Sequence, residues 1–306
     1  MCYEGGIYMS GTVYRSKRTV ISVLLVFAFM LSFMAIPGVS YASAPIVRND
    51  YDPGKYSDDG PYSYSTYQLQ GTPGGATVYY PTNAAAPFSG IVFCPPYTGT
   101  QSMFDDWGPF FASHGIVLVT MDTSSILISV DQRADEQAEV LDILKAENAR
   151  QASPLYNKLD TERVGAMGWS MGGGATWINS AEYPGLMTAM SLAGHNLTAL
   201  NPNADGDNTK CPTIIFKGAL DTTYLGGLLQ SEGVYYAIPD PLPKVFYEVG
   251  TAGHFDWGSP TAANDHVAEL ALAFQKTFLD GDDRWEEFIE EPLFDLSTYR
   301  SENVNE

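Results

Sequence analysis

Short runs of β-branched and aromatic residues recur along this chain, and from the third run onward helical stretches separate most of them. The runs are TYQLQ, ATVYY, GIVFC, GIVLVTM, RVGAMG, LMTAMSLA, PTIIFK and KVFYEV, and the predicted helices include residues 103–113, 133–150, 171–182 and 263–279. Repeated strand–helix–strand units favour an α/β fold with a largely parallel sheet and helices on both faces. No helix separates the first two runs, so we expect them to form an antiparallel edge.

The acidic balance of the chain limits its partners. The 306 residues include 36 acidic and 16 basic side chains, which gives a net charge of −20. Such a charge repels nucleic acid and anionic membrane surfaces. We therefore expect no nucleic-acid partner and a preference for neutral or cationic partners. We also expect the protein to be a monomer.

The N-terminal 42 residues have the three-part layout of a secretory signal. Arg15, Lys17 and Arg18 precede the apolar run VISVLLVFAFMLSFMAIPGV, and the small residues of VSYASAP follow it. We place cleavage after Ala42, which predicts a secreted protein without stable membrane association. An uncleaved anchor is the alternative, because the apolar run is long enough to span a bilayer.

The mature chain divides into an arm and one domain. Residues 43–64 are rich in Pro, Gly, Asp and Tyr and predict an extended arm over the surface, whereas residues 65–306 form the predicted catalytic domain. Cys94 and Cys211 are the cysteines that remain after cleavage. A domain of this size does not need a disulfide, so we predict two buried free thiols.

The segment GWSMG, residues 168–172, places Ser170 between a predicted strand and a predicted helix. This G-x-S-x-G pattern in that context is typical of a nucleophilic serine on a tight, strained turn, with glycines where side chains would clash. The alternatives are a glycine-rich turn with an uninvolved serine and a phosphate-binding loop, but the latter lacks its G-K-[ST] element. We predict that Ser170 is the nucleophile of an acyl transfer.

A nucleophilic serine needs a base and an orienting acid, which follow it in the order Ser, Asp or Glu, His in α/β-hydrolases. His254 lies in a glycine-rich loop directly after KVFYEV, and Asp221 follows the preceding strand, PTIIFK. We predict these two as base and acid. Asp256 is too close to His254 in sequence to reach its far nitrogen, and His195 lies one strand too early, so we expect His195 to line the cleft.

The oxyanion formed during acyl transfer needs two N–H donors. One comes from the residue after the nucleophile and the other from the loop after an earlier strand. We predict the backbone N–H groups of Met171 and of Tyr97, which lies in CPPYTGTQ. This chemistry requires no metal and no organic cofactor.

Several blocks of sequence, in order, match one known family. These blocks are PPYTGTQ, WGPFFASHGIVLVTMDT, PLYNKLDTERVGAMGWSMGGG, CPTIIFKGALD, GTAGHF and FLDGDDRW, within residues 62–288. The chain resembles the bacterial cutinase-like polyester hydrolases, the α/β-hydrolase group that includes PET hydrolases, cutinases and some lipases. The resemblance implies a single-domain α/β-hydrolase fold without a lid.

The resemblance supports the three catalytic residues and both oxyanion donors, and it implies substrate contacts. Tyr97, Trp169 and Met171 are expected to bind substrate in an open groove, together with His195. Many relatives carry a tryptophan where this chain has His195, and an imidazole offers less area for stacking on an aromatic ring. The chain is therefore predicted to turn over PET less well than such relatives.

The expected activity is that of a secreted serine carboxylic ester hydrolase of the cutinase or polyester hydrolase type. It would act through an acyl-enzyme on polyesters, PET-like or aliphatic, and on short-chain esters. A short-chain triacylglycerol lipase is the alternative. A non-catalytic α/β-hydrolase that binds a ligand or a surface is more remote, because the predicted catalytic residues are all present.

Overall fold

Nine strands form one sheet in residues 44–196, 204–290 and 298–305, which the computed structural model describes. The strands are β1 Tyr64–Gln68, β2 Ala76–Pro81, β3 Phe88–Cys94, β4 Val117–Met121, β5 Leu159–Trp169, β6 Thr188–Leu192, β7 Thr213–Gly218, β8 Lys244–Val249 and β9 Thr298–Glu302. Their order is β1-β2-β4-β3-β5-β6-β7-β8-β9. Strands β3 to β8 run parallel, whereas β1, β2 and β9 pair antiparallel with their neighbours.

Helices connect most of the parallel strands. They are α1 Trp107–Ser113, α2 Val130–Glu147, α3 Met171–Glu182, α4 Ala204–Asp207, α5 Tyr224–Ala237, α6 Asp265–Phe274 and α7 Glu287–Glu290. A π-helical turn, Gln275–Asp280, continues α6. Within the described residues, no helix has both the length and the apolar character needed to cross a bilayer.

Hydrophobic cores cover both faces of the sheet. Alternate residues of β3 illustrate this, because Ile91 and Phe93 join the core that contains α1 and α6, whereas Val92 and Cys94 join the core beneath α2 and α3. Side chains alternate across a strand, so a strand that is buried on both faces is apolar throughout. The predicted α/β-hydrolase fold, with a mostly parallel sheet between helices, is confirmed.

The edges of the sheet differ in how well they were predicted. The antiparallel pairing of β1 with β2 is confirmed, and Cys94 and Cys211 are buried free thiols, as predicted. Strand β9 was not predicted, because TYRSE lacks the alternation of apolar and polar residues that identifies a strand. All but the last of its residues are only partly buried, as is common for a strand at a sheet edge.

The segment before β1 packs against the end of the sheet at which the parallel strands begin. Residues 44–63 contain no helix or strand, and Arg48 donates hydrogen bonds to the carbonyls of Ala85 and Gly115, at 2.8 and 2.9 Å. Tyr51 contacts Trp285 edge-on. The predicted signal segment, residues 1–42, lies outside the described residues.

His114 is completely buried beneath this segment. Its Nε2 lies 3.0 Å from the Asp58 carbonyl oxygen, which can only accept, so Nε2 carries the proton and Nδ1 accepts from the Tyr51 hydroxyl. Burial, together with the nearby Lys276 charge, lowers the pKa of His114 to about 3. The imidazole is therefore neutral across the physiological pH range.

The low pKa of His114 predicts acid sensitivity of the fold. Below the ordinary pKa of 6.5 the unfolded chain binds a proton that the folded chain does not, so stability falls with pH until about 3. His114→Gln should reduce the loss of unfolding free energy between pH 6 and 4 by up to about 1.4 kcal/mol per pH unit. Urea denaturation at several pH values measures this.

The matched control is His266→Gln, because the His266 side chain is 37% exposed and reaches solvent in the folded state. It should change the dependence of unfolding free energy on pH less than His114→Gln does, because a partly exposed pair such as His266 and Glu269 contributes little to stability. If the unfolding free energy of His114→Gln fell with pH as steeply as that of the wild type, the low pKa of His114 would be contradicted.

Candidate active site

The carboxyl ends of β5, β7 and β8 bring the three predicted catalytic side chains together. Ser170 follows β5, Asp221 follows β7 and His254 follows β8. His254 Nε2 lies 2.9 Å from Ser170 Oγ, and His254 Nδ1 lies 2.7 Å from Asp221 Oδ2. All three residues are at least 92% buried. The geometry is that of a hydrogen-bonded chain from carboxylate to hydroxyl.

The partners of His254 determine its tautomer. The Asp221 carboxylate can only accept, so Nδ1 donates to it and the Ser170 hydroxyl donates to Nε2. Burial by itself would raise the pKa of Asp221, but the hydrogen bond and charge of His254 and the Thr223 N–H outweigh burial and hold that pKa below its ordinary value. Asp221 is therefore ionised and Nε2 is free to take the serine proton.

Ser170 adopts a backbone conformation that residues other than glycine rarely adopt. Its φ is 56° and its ψ is −118°. The turn is held by a hydrogen bond from the Ser170 N–H to the Leu192 carbonyl, 2.9 Å long, and by one from the Gly174 N–H to the Ser170 carbonyl, 3.0 Å long. A strained backbone that the surroundings hold firmly is common at functional sites.

The two residues predicted to supply the oxyanion donors, Tyr97 and Met171, line the same cleft as Ser170. Met171 begins α3, so its N–H is one of the first in a helix, which have no partner within the helix. Tyr97 lies in the turn after β3, where the Thr98 N–H donates to the Ile126 carbonyl at 2.9 Å. The Tyr97 side chain is 49% exposed. The role of both N–H groups as oxyanion donors stays a prediction.

A cleft of about 510 Å³ opens above Ser170. Its walls are mostly apolar, and the residues that line it are Pro96, Tyr97, Thr98, Met103, Ser170, Met171, His195, Thr223, His254 and Phe255. Among the described residues, no three His, Cys, Asp or Glu side chains converge as ligands of a metal ion would. Such a cleft suits an apolar group attached to a reactive carbonyl.

Trp169 was predicted to contact substrate, but its side chain lies below the cleft surface. It is 2% exposed, and its indole N–H donates to the His254 carbonyl at 2.9 Å. Its ring meets the Phe255 ring edge-on, with centroids 6.4 Å apart. Trp169 thus supports the loop that carries His254. Its predicted contact with substrate stays a prediction.

Phe255 is a residue of the cleft that sequence reasoning missed. It is 74% exposed, although large apolar side chains are usually buried. The available signal was its position, because it directly follows the predicted base in a glycine-rich loop after the last parallel strand. Phe255 therefore gives the cleft an aromatic surface that was expected from Trp169.

His195 lines the cleft with little exposed surface. It is 3% exposed, and its ring centroid lies 6.2 Å from that of His254. Burial, together with repulsion from His254, lowers the pKa of His195 to about 4. At neutral pH the cleft wall is therefore an uncharged imidazole here.

Comparison with known proteins identifies the family. The PETase family model, described as PET hydrolase-like, matches residues 54–305. The chain belongs to the PET hydrolase-like family. A bis(hydroxyethyl) terephthalate hydrolase of Streptomyces coelicolor is 29% identical over 94% of this chain and 91% of its own length.

Two cutinases extend the comparison. Cutinase cut1 of Thermobifida fusca is 29% identical over 91% of this chain and 86% of its own length. Cutinase est2 of Thermobifida alba is 33% identical over 74% of this chain and 73% of its own length. The predicted family is thus confirmed, and this PET hydrolase-like protein is a carboxylic ester hydrolase.

Proposed function

We propose that this PET hydrolase-like protein cleaves polyesters and short-chain esters through an acyl-enzyme on Ser170. The observation that carries the proposal is the hydrogen-bonded chain of Asp221, His254 and Ser170 at the floor of an apolar cleft. A serine hydroxyl is a weak nucleophile, and an adjacent base oriented by a carboxylate is the arrangement that activates it.

In the acylation step, Ser170 Oγ attacks the ester carbonyl carbon while its proton moves to His254 Nε2. Asp221 stabilises the imidazolium that forms. The carbonyl oxygen becomes an oxyanion, and the Met171 and Tyr97 N–H groups donate to it. The bond to the alcohol then breaks, and His254 returns the proton to the leaving alcohol oxygen.

In the deacylation step, water attacks the acyl carbon and gives its proton to His254 Nε2. The bond to Ser170 Oγ breaks, and the serine recovers that proton as the carboxylic acid leaves. The chain needs no other reactant than water and ester.

Ser170→Ala should lower kcat on p-nitrophenyl butyrate by at least about 10⁴-fold, because no other group replaces the nucleophile. Asp221→Asn should lower kcat by about 10⁴-fold, because a side-chain amide holds the wrong imidazole tautomer. Initial-rate kinetics on both purified variants measure this, with thermal unfolding as a check on folding. Wild-type turnover in Ser170→Ala would refute the serine mechanism, whereas no turnover by the wild type itself would favour a non-catalytic binding role.

The walls of the cleft support an apolar or aromatic ester as substrate. Phe255 and Tyr97 expose aromatic surface beside Ser170, and His195 is neutral. Offset or edge-on contacts between aromatic rings contribute about 0.5–1.5 kcal/mol beyond the burial of area. We propose that Phe255 contacts the aromatic ring of a polyester and supplies part of the stacking area that His195 lacks.

Phe255→Ala should lower release of soluble product from an aromatic polyester film by about 10-fold and change tributyrin turnover by less than about threefold, because the short acyl chain of tributyrin carries no ring. Assays on an aromatic polyester, an aliphatic polyester and tributyrin, run side by side, measure this. Tyr236→Ala is the matched control, because Tyr236 is 59% exposed and does not line the cleft. Turnover of tributyrin without either polyester would instead identify a short-chain lipase.

We further propose that the protein is exported and acts outside the cell as a monomer, without lasting membrane association. The basic cluster, apolar run and small residues before position 43 support this proposal. In a secreting bacterial host, intact mass spectrometry of protein from the medium should give a chain that begins at Ser43. Full-length protein that stays with the membrane fraction would indicate an uncleaved anchor instead.

A further inference from the structure

Arg133 is completely buried in the first turn of α2, and its partners are backbone carbonyls. Its Nη1 donates to the Pro95 carbonyl at 3.1 Å, and its Nη2 donates to the Ile126 carbonyl at 2.9 Å. Arginine stays protonated and presents its donors in a rigid planar fork. One side chain therefore fixes the separation and direction of two carbonyls.

These two carbonyls belong to the loops that follow β3 and β4. The Ile126 carbonyl also accepts from the Thr98 N–H at 2.9 Å. The β3 loop is thus held on both sides of Tyr97, directly by Arg133 at Pro95 and through Ile126 at Thr98. A peptide fixed at both flanks has little freedom to rotate its N–H.

The same stretch of the β3 loop touches the turn that carries Ser170. A Cβ added to Gly172 would lie 2.1 Å from the Cys94 carbonyl oxygen and 2.7 Å from the Pro95 carbonyl oxygen. The backbone at Pro95 is therefore held between the serine turn and the Arg133 guanidinium. Through that contact, the loop that carries Tyr97 lies against the turn that carries Ser170 and Met171.

We propose that Arg133 is a positioning residue for ester hydrolysis, which aligns the Tyr97 N–H with the Met171 N–H by holding the Pro95 and Ile126 carbonyls. The inference rests on the proposed serine mechanism and on these two N–H groups as oxyanion donors. Arg133 itself does not line the cleft and touches no reacting atom.

Arg133→Met keeps an unbranched side chain and removes both hydrogen bonds to the carbonyls. Loss of an oxyanion donor lowers kcat by about 10²–10³-fold, and a misplacement of about 1 Å can cost about 10²-fold. We expect kcat on p-nitrophenyl butyrate to fall by about 10- to 100-fold with KM within about twofold of the wild type. Arg133→Lys should lose less, because one ammonium group still donates but cannot reproduce the fork.

An inhibitor separates positioning from a general loss of structure. A trifluoromethyl ketone adds to the serine and places its oxyanion where the two N–H groups lie, so its affinity should fall in Arg133→Met by a factor similar to that in kcat. Arg48→Met is the matched control, because Arg48 is also buried and donates to carbonyls, at the opposite edge of the sheet. Arg48→Met should lower the melting temperature and leave kcat and the inhibitor affinity within about twofold of the wild type.

The inference is overturned if Arg133→Met folds and keeps both kcat and inhibitor affinity within about twofold of the wild type. Where Arg133→Met does not fold, Arg133→Lys decides by the same two numbers. Ser170→Ala distinguishes a failure of the proposed function from a failure of the positioning role. If Ser170→Ala retains activity, the proposed function fails. If it is inactive while the Arg133 variants match the wild type, the positioning role alone fails.

Discussion

The turn from β5 into α3 can form only because Gly168 and Gly172 have no side chains. A Cβ at Gly168 would lie 2.0 Å from the Gly172 carbonyl oxygen, and one at Gly172 would lie 2.1 Å from the Cys94 carbonyl oxygen. The close backbone approach at both glycines allows the tight turn in which Ser170 adopts its positive φ. The proposed base, acid and oxyanion donors can act only on a serine that this turn holds in place.

Burial of so many polar groups at this edge requires that they satisfy one another. Asp221, His254 and Ser170 do so in a chain, and the Thr223 N–H accounts for a further oxygen of Asp221. An unpaired buried polar group costs about 1–3 kcal/mol, so removal of one member leaves its neighbour destabilised. Arg133 follows this principle at Nη1 and Nη2, which each donate to a backbone carbonyl, whereas its buried Nε has no hydrogen-bond partner among the described residues. Local stability and the proposed function therefore depend on the same hydrogen bonds at the carboxyl ends of the strands.

Residues whose positions follow from the order of the strands along the chain could be predicted from the sequence. Residues whose positions depend on how loops pack against each other could not. Ser170, Asp221 and His254 could be predicted to converge, because the carboxyl ends of parallel strands meet at one edge. Phe255 and Trp169 are both aromatic and both adjoin a predicted catalytic residue, and only the packing of their loops decides which is exposed. Arg133 carries no local motif, since its two hydrogen-bond partners lie in loops that are distant from each other in sequence. Strand β9 has no apolar alternation, so only its pairing with β8 identifies it.

The buried titratable groups at the two ends of the parallel strands are protonated one after another as the pH falls. Burial lowers the pKa of His114 to about 3 and that of His195 to about 4, so both oppose folding as pH falls below the ordinary value of 6.5. Asp221 has a pKa below its ordinary 3.8, so its contribution to stability is present above that value and is lost only at lower pH. Stability therefore begins to fall while the Asp221 carboxylate is still ionised. Of these three groups, the two buried imidazoles therefore weaken the fold before the Asp221 carboxylate does as the pH falls.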